Sequence, residues 1–400
     1  MADFLSETNM KHKILDKPTI YTAIIGVLLI ALLLLIPTGF EGAINYKDSI
    51  RAVGIVVATD NSYIHHSGLI QYGEQLCTLQ IKDGIFAGEQ IEGVNFLNGS
   101  LAADKIYQIG DEAFVRISCK PLSDTSDHDG QIINGYAIST CVMTDHFRLT
   151  KEAVLLIAFF GLLILVAGKN GIRAIFSFVI TILAIWKLLV PAYLRGYSPV
   201  WIGIGITTLL TLIIIFFVYG FDRRTLTACL GAMLGILTTC ILGILFTDLF
   251  QIHGAIMPDS ESLLYSGYQH LDLTAIFMSS IFIGASGAMM DLAVDITSAV
   301  HEVVEKKPEI GWREAARSGM NVGRAAMGTM TTTLLLAYSG GYITSLMVYM
   351  AQGTPIDHIL NYKYVASEIL DTVIGSFGLV TVAPFTALMS GILLTKKPTK

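Results

Sequence analysis

Long, nearly unbroken runs of apolar residues restrict what this chain can fold into more than any other feature of its sequence. A helix of about 20 apolar residues spans the ~30 Å hydrocarbon core of a bilayer, at a rise of about 1.5 Å per residue. Helices are expected because lipid offers no water to satisfy open backbone groups. The runs lie at 19–38, 154–168, 172–190, 200–220, 226–250, 273–300, 324–350 and 369–394. They predict an α-helical polytopic membrane protein with about eight transmembrane helices.

Composition and missing motifs exclude several classes of function. Charged residues make up 14% of the chain, whereas soluble proteins carry about 25%. The formal net charge of −6 gives no electrostatic footprint for nucleic acid, so no nucleic-acid partner is expected. The chain has no P-loop, no G-x-S-x-G elbow and no C-x-x-C pair. We therefore predict a lipid-embedded protein that is not an enzyme, with no catalytic residues, cofactor or metal site.

Lysine and arginine fall unevenly on the two sets of loops, and this bias predicts the orientation of the helices. With the N-terminus inside, the cytoplasmic side collects fifteen of these residues, whereas the short outer loops hold only Arg195 and Lys363. Both termini are therefore expected in the cytoplasm. The first run is interpreted as an uncleaved anchor because it is longer than a typical signal-peptide core; a cleaved signal peptide is the alternative.

The same runs divide the chain into domains. We predict, in chain order, a cytoplasmic tail, a transmembrane anchor, an extracytoplasmic β-rich domain, a seven-helix membrane domain and a second cytoplasmic tail. Their bounds are 1–18, 19–38, 41–150, 151–395 and 396–400. The membrane domain includes a polar cytoplasmic linker at 301–323.

The segment 41–150 reads as short strands rather than helices. Its segments RAVGIVVAT, QLCTLQI, QIEGVNFL, EAFVRISC and GYAISTCV are rich in β-branched and aromatic residues, and Gly, Asn and Asp separate them. Short strands at this spacing predict a small all-β domain, either a barrel or a sandwich.

Other features of the β-rich segment leave alternatives open. Cys77, Cys119 and Cys141 are an odd number, which favours buried free thiols, with a Cys119–Cys141 bridge as the alternative. The segment 124–129 (DTSDHD) and the pair His65–His66 could bind a metal ion. A solvated acidic loop is the preferred interpretation, because the ligand spacing matches no known site.

The sixth apolar run carries two acids that a bilayer would not accept on a lipid-facing surface. Asp291 and Asp295 are four residues apart and share one helical face with the helix-packing candidates Gly284 and Gly287. Ionisable residues within a span usually face a bundle interior or a wet cavity. We predict that both acids couple to an ion or a proton. The alternative is that they only mark the cytoplasmic end of the helix.

The seventh and eighth runs supply further candidates for such a site. Asn321, Arg324 and the packing candidate Gly328 share one face of the seventh helix, and Arg324 is placed to form a salt bridge with Asp291 or Asp295. The alternative is an arginine that extends to the headgroups. Asp371 in the eighth run is a further coupling candidate. A Gly-Gly pair at 340–341 predicts a weakened or kinked helix.

Two segments resemble a known family. The stretches GASGAMMDLAVDITSAVHEV and RSGMNVGRAAMGTMTTTLLLAYSGG are similar to the YibE/F-like family of bacterial multi-pass membrane proteins. This resemblance implies the bacterial cytoplasmic membrane and brings no firm substrate. The spacing of Ser318, Asn321, Arg324, Thr329 and Thr331 is more distantly similar to SecD/SecF-type subunits of the resistance-nodulation-division superfamily. That similarity implies proton coupling by an acid on the preceding helix, where Asp291 stands.

Two classes of function follow. The leading hypothesis is a secondary, ion- or proton-coupled transporter, or a subunit of a transport complex, for an unknown small solute or ion. Its partner would be a paired YibE/F-like subunit or a second copy of the chain. The alternative is a non-transporting receptor or assembly scaffold that uses the extracytoplasmic β-domain.

Overall fold

The computed structural model describes residues 17–40, 49–122 and 131–395. The tails predicted at 1–18 and 396–400 lie almost entirely outside these residues, as does the acidic loop at 124–129. The chain forms two compact units. One is Phe40–Leu162, and the other combines the N-terminal helix with the chain from Leu163 onwards.

Eight long helices account for the apolar runs. Seven of them, α2 to α8, are long and apolar enough to cross a membrane, whereas the apolar part of α1, Tyr21–Leu35, is shorter. The span count of eight therefore stays a prediction. The helices are α1 Lys17–Leu35, α2 Leu149–Ala167, α3 Lys169–Leu194, α4 Pro199–Tyr219, α5 Arg223–Leu249, α6 Leu273–Lys306, α7 Trp312–Ala351 and α8 Lys363–Thr395. Two short helices, Ser260–Tyr265 and Ile356–Asn361, precede α6 and α8.

The polar segment at 301–323, predicted as a linker, is mostly helical. Helix α6 continues to Lys306 and α7 already begins at Trp312. The first turns of α7 pack closely on α6, since a side chain at Gly319 or Gly323 would meet Ile296. Only the short turn around Pro308 remains outside the two helices.

Helix α7 is interrupted where the Gly-Gly pair predicted a kink. A 3₁₀ turn at Gly340–Tyr342 separates its α-helical parts, Trp312–Ser339 and Ile343–Ala351. Glycine weakens a helix because it gains no side-chain packing and loses much backbone freedom on folding.

Close approach of small residues holds the centre of the helical unit together. Gly231 and Gly235 of α5 lie against Thr386 and Val382 of α8, and Gly378 of α8 lies against Thr239 of α5. Small residues are common between membrane helices. The hydrophobic effect does not drive helix association inside lipid, so association depends on close van der Waals packing, which small residues allow. Helix α6 packs against α5 and α8. It is the most buried of the seven candidate spans, since 56% of the residues in its most apolar 18-residue stretch are buried.

The other unit is a five-stranded β-barrel. Strands β1, β3, β4, β7 and β5 pair in that order and close the ring through β1 and β5; all pairs are antiparallel except β4 with β7. Numbering the five barrel strands along the chain gives the order 1-2-3-5-4, which is the topology of the OB-fold barrel. The strands are β1 Ser49–Asp60, β2 Ile64–Ser67, β3 Ile70–Ile81, β4 Gln90–Asn98, β5 Glu112–Pro121, β6 Gln131–Ile133 and β7 Tyr136–His146.

The barrel interior is mostly apolar, but it also encloses the Tyr107 hydroxyl and a hydrogen-bonded pair of amide side chains. Val56, Leu79 and Ile117 are completely buried, as expected from strands that alternate inward and outward residues. Gln75 and Asn95 are also completely buried. Their side-chain amides donate to the backbone carbonyls of Tyr107 and Lys105 at 2.9 and 2.6 Å. The pair therefore satisfies buried loop backbone that the strands cannot reach.

All five cysteines are free and buried. No Cys119–Cys141 bridge forms, which agrees with the preferred interpretation of the sequence. Burial in the apolar barrel raises the pKa of the Cys77 thiol to about 11 and that of Cys141 to about 12. Both residues therefore remain thiols, rather than reactive thiolates, at neutral pH.

Candidate ion-coupling site

Helix α6 presents a polar stripe on the surface of the helical unit. Its members recur every three or four residues, so they share one face of the helix. All of them are exposed, whereas the opposite face, including Met289 and Ile296, is completely buried. The stripe consists of Ser280, Gly284, Gly287, Asp291, Asp295 and Ser298.

The two acids of the stripe lie at neighbouring positions. Asp291 and Asp295 are one turn apart on α6, close enough for the charge of Asp295 to act on Asp291. Asp291 is eighteen residues beyond Leu273, which is about 27 Å along the helix. Two like charges at this spacing repel each other, so binding one proton or cation between them relieves the repulsion.

The stripe ends at the C-terminus of α4. The hydroxyl of Tyr219 donates to the backbone carbonyl of Val294 at 2.6 Å and lies 2.6 Å from the Ser298 Oγ. Tyr219 also lies near enough to Asp295 for an electrostatic interaction. The guanidinium of Arg224 lies 5.1 Å from the centre of the Tyr219 ring and forms an ion pair with Asp222. An arginine–aspartate ion pair therefore stands at this end of the stripe.

A second polar group lies at the other end, between α7 and α8. A side chain added at Gly284 would lie 2.8 Å from the Tyr338 hydroxyl, so this tyrosine of α7 crosses the stripe there. Glu368 and Asp371 of α8 act electrostatically on Tyr338. The Tyr338 hydroxyl and the Asp371 Oδ1 are both buried without a hydrogen-bond partner. Such atoms are costly in an apolar interior unless they bind a proton, an ion or water.

Arg324 and Asn321 do not join the acids on α6. They border a groove between α7 and α8, whose other lining residues include Pro384 and Leu388. Within the part of the chain that the structure describes, no ion pair links Arg324 to Asp291 or Asp295. The face of α7 that meets α6 instead carries Gly319 and Gly323. The spacing of polar residues along α7 was right, but their direction was not fixed by spacing alone.

Of the three predicted packing glycines, only Gly284 approaches another helix within the chain. A side chain added at Gly287 or Gly328 would meet nothing within 4 Å. These two positions are therefore open on the surface of the helical unit.

Sequence reasoning missed Tyr219, Arg224 and Tyr338. Each contacts α6 or its neighbours through a pairing between helices that are far apart in the chain, up to 79 residues for Tyr219 and Ser298. The available signal was weak: Tyr219 lies at the end of an apolar run, where aromatic residues are common in any membrane helix, and Tyr338 is a single tyrosine within the run 324–350.

The barrel carries a separate groove on its outer surface. The groove has a volume of about 430 Å³ and lies across strands β1, β3, β4 and β7. Strands 2 and 3 of an OB barrel, here β3 and β4, commonly form its ligand-binding face. The lining combines an exposed aromatic ring with carboxylates and hydroxyls, and includes Phe96, Asp60, Glu92, Thr78 and Thr140.

No metal centre accompanies these sites in the residues that the structure describes, since no three His, Cys, Asp or Glu side chains converge there. The fold and the stripe together define the class of the protein. It is a multi-pass helical membrane protein with a β-barrel inserted after its first helix.

Comparison with family models gives the particular family. The model described as YibE/F-like protein matches residues 155–396, which covers α2 to α8 and therefore more than half of the chain. The chain belongs to the YibE/F-like family. Comparison with curated proteins and with solved structures gave no match, so the more distant similarity to SecD/SecF-type subunits gains no support.

Proposed function

We propose that this protein is a secondary transporter, or the membrane subunit of a transport complex, in which protons or cations move along the polar face of α6. The observation that carries the proposal is the line of ionisable and hydroxyl groups beside that helix. It begins at Glu368 and Asp371, passes Tyr338 at Gly284, and reaches Asp291 and Asp295 before ending at Tyr219.

The energetic argument concerns the two acids on α6. An acidic side chain in the hydrocarbon region costs about 3 kcal/mol on insertion scales, so such residues mark ion or proton pathways by default. Helix α6 bears this cost at Asp291, although its buried face is packed entirely with apolar and small residues. Packing alone gives no reason for an acid at this position, whereas proton or ion transfer does.

The orientation follows from the same proposal. The bias of lysine and arginine supports cytoplasmic termini and an extracytoplasmic barrel, and family membership supports a bacterial cytoplasmic membrane. The groups at Glu368 and Asp371 would then lie near the outer side, and Tyr219 with Arg224 near the cytoplasm.

Proton flux into vesicles tests the proposal without knowledge of the solute. The full chain is reconstituted in liposomes that hold a pH-sensitive dye, and an inward pH gradient is applied together with a potassium diffusion potential. We expect flux clearly above that of protein-free vesicles, because ionisable groups within a membrane protein can relay protons that hydrocarbon excludes. The double variant Asp291→Asn/Asp371→Asn should return the flux to the protein-free rate. Wild-type flux at that rate would contradict the proposal.

The barrel groove favours a second candidate, a receptor or assembly scaffold. Its exposed Phe96 ring and the carboxylates of Asp60 and Glu92 suit a neutral or cationic ligand on the outer side of the membrane. The two candidates respond differently to substitution. A receptor would lose its cellular phenotype in Phe96→Ala and keep it in Asp291→Asn, whereas a transporter requires Asp291.

A further inference from the structure

Polar side chains are exposed on α6 and α7, two helices that are long and apolar enough to cross a membrane. In the most apolar 18-residue stretch of α7 only 6% of the residues are buried, against 56% in the corresponding stretch of α6. The exposed residues of α7 include Asn321, Arg324, Thr329 and Thr332, and α6 exposes Asp291 and Asp295. By contrast, α2 exposes residues such as Leu155, Ile157 and Leu165, which lipid accepts. A surface of the first kind needs a protein partner or water to cover it.

The charges on the two exposed stripes are complementary and lie at the same depth. Gly323 of α7 packs against Ile296 of α6, so the next residue on α7, Arg324, is level with Asp295. Further along the two helices, Tyr338 of α7 packs at Gly284 of α6. Both contacts therefore agree with one antiparallel alignment of α6 and α7. Arg324 nevertheless borders the groove beside Pro384 and Leu388, and among the described residues it forms no ion pair with the acids of its own chain.

We propose that a second copy of this chain covers the exposed faces of α6 and α7, and that Arg324 of one copy pairs with Asp295 of the other. A second copy carries the complementary charge at the matching depth. Arg324 and Asp295 are level within one chain, so they are also level between two copies that cross the same membrane in the same orientation. In a two-fold arrangement each copy donates one arginine and one acid, so both are satisfied. Gly287 and Gly328, where an added side chain would meet none of the described residues within 4 Å, then allow the partner's helices to approach closely.

The interface also bears on the proposed transport site, because the partner's arginine would set the charge opposite Asp295. The association itself does not depend on transport. The cross-linking test therefore measures only whether two copies meet at these faces. If the unaltered protein associates but shows no proton flux in vesicles, only the transport proposal is contradicted.

Cross-linking between two differently tagged copies tests the interface. One copy carries Gly287→Cys and the other Leu335→Cys. Gly287 lies three residues after Gly284, and Leu335 lies three residues before Tyr338, so on antiparallel helices the two positions are at the same depth. Leu335 is exposed, and Gly287 has open space, so neither change disturbs the fold. The buried native cysteines leave the engineered pair as the reactive one. A short bifunctional maleimide should join the two tags in membranes.

The control replaces Gly287→Cys by Gly161→Cys on α2, which also has open space around it. We expect at least about tenfold less cross-linked product with this control, because Gly161 is not part of the proposed interface. Equal cross-linking of the two pairs, or none with either, overturns the proposal and assigns the face to another protein. Labelling of Gly287→Cys by a membrane-impermeant thiol reagent in the intact assembly would also overturn it, because that result means a water-filled groove.

Charge reversal supplies a second measurement. Arg324→Asp and Asp295→Arg should each prevent co-purification of the two tags, and a chain carrying both changes should recover it. Recovery would require opposite charges in contact between copies. Co-purification that is unaffected by either single reversal overturns the pairing.

Discussion

Asp291→Asn is expected to reduce proton flux in reconstituted vesicles at least about tenfold while the protein inserts and folds normally. Asparagine has nearly the same shape, with an NH2 donor in place of one carboxylate oxygen, but it cannot take up and release a proton. Asp291 lies on the exposed stripe rather than in the packed face of α6. The change therefore removes a protonation site and no core contact.

A matched substitution on the same helix provides the control. Asp272 lies just before α6 and caps its first turn, where its Oδ1 accepts a hydrogen bond from the Ala275 backbone at 2.9 Å. Asparagine caps a helix about as well as aspartate, so Asp272→Asn should retain full flux. Flux that is unchanged in Asp291→Asn, or equally reduced in both variants, would mean that α6 does not carry the proton.

Gly378→Leu is expected to prevent correct folding of the helical unit. A side chain at this position would overlap Thr239 of α5 and Met289 of α6, so three helices meet where only hydrogen fits. Overpacking a well-ordered core costs about 1–3 kcal/mol when the neighbours can shift. Here the neighbours are buried and packed on their other sides, so we expect little monodisperse protein after extraction in detergent.

The comparison variant is Gly161→Leu, in which the same side chain points into open space on α2. The two variants and the unaltered chain are expressed in parallel. Size-exclusion chromatography measures how much monodisperse protein each one yields. Recovery of Gly378→Leu at the level of Gly161→Leu would show that α5, α6 and α8 do not pack through this glycine.

The sequence alone predicted the helices well, because length and hydropathy determine them directly. The run at 273–300 became Leu273–Lys306, and the run at 200–220 became Pro199–Tyr219. The β-rich segment was equally readable, since alternating side chains distinguish strands from helices. Its closure into a barrel required knowledge of which strands pair, and the parallel contact of β4 with β7 rests on a single residue pair, Val94 and Val142.

The arrangement of the candidate site was harder to predict. Periodicity places Asn321, Arg324 and Gly328 on one face of α7, but it does not state which neighbour that face meets. Small residues at Gly319 and Gly323 decided the matter, because they allow α7 to approach Ile296 closely and so turn Arg324 away. Two tyrosines, Tyr219 and Tyr338, entered the site through contacts between distant segments that no local pattern reveals.

Carbodiimide labelling of the reconstituted protein, mapped by mass spectrometry alongside proton flux, tests the central claim most directly. Lipophilic carbodiimides react with protonated carboxyl groups in an apolar setting. The account predicts modification of Asp291, no modification of the solvent-facing Asp272, and loss of flux in proportion to the modified fraction of Asp291. Complete modification of Asp291 with undiminished flux would contradict it.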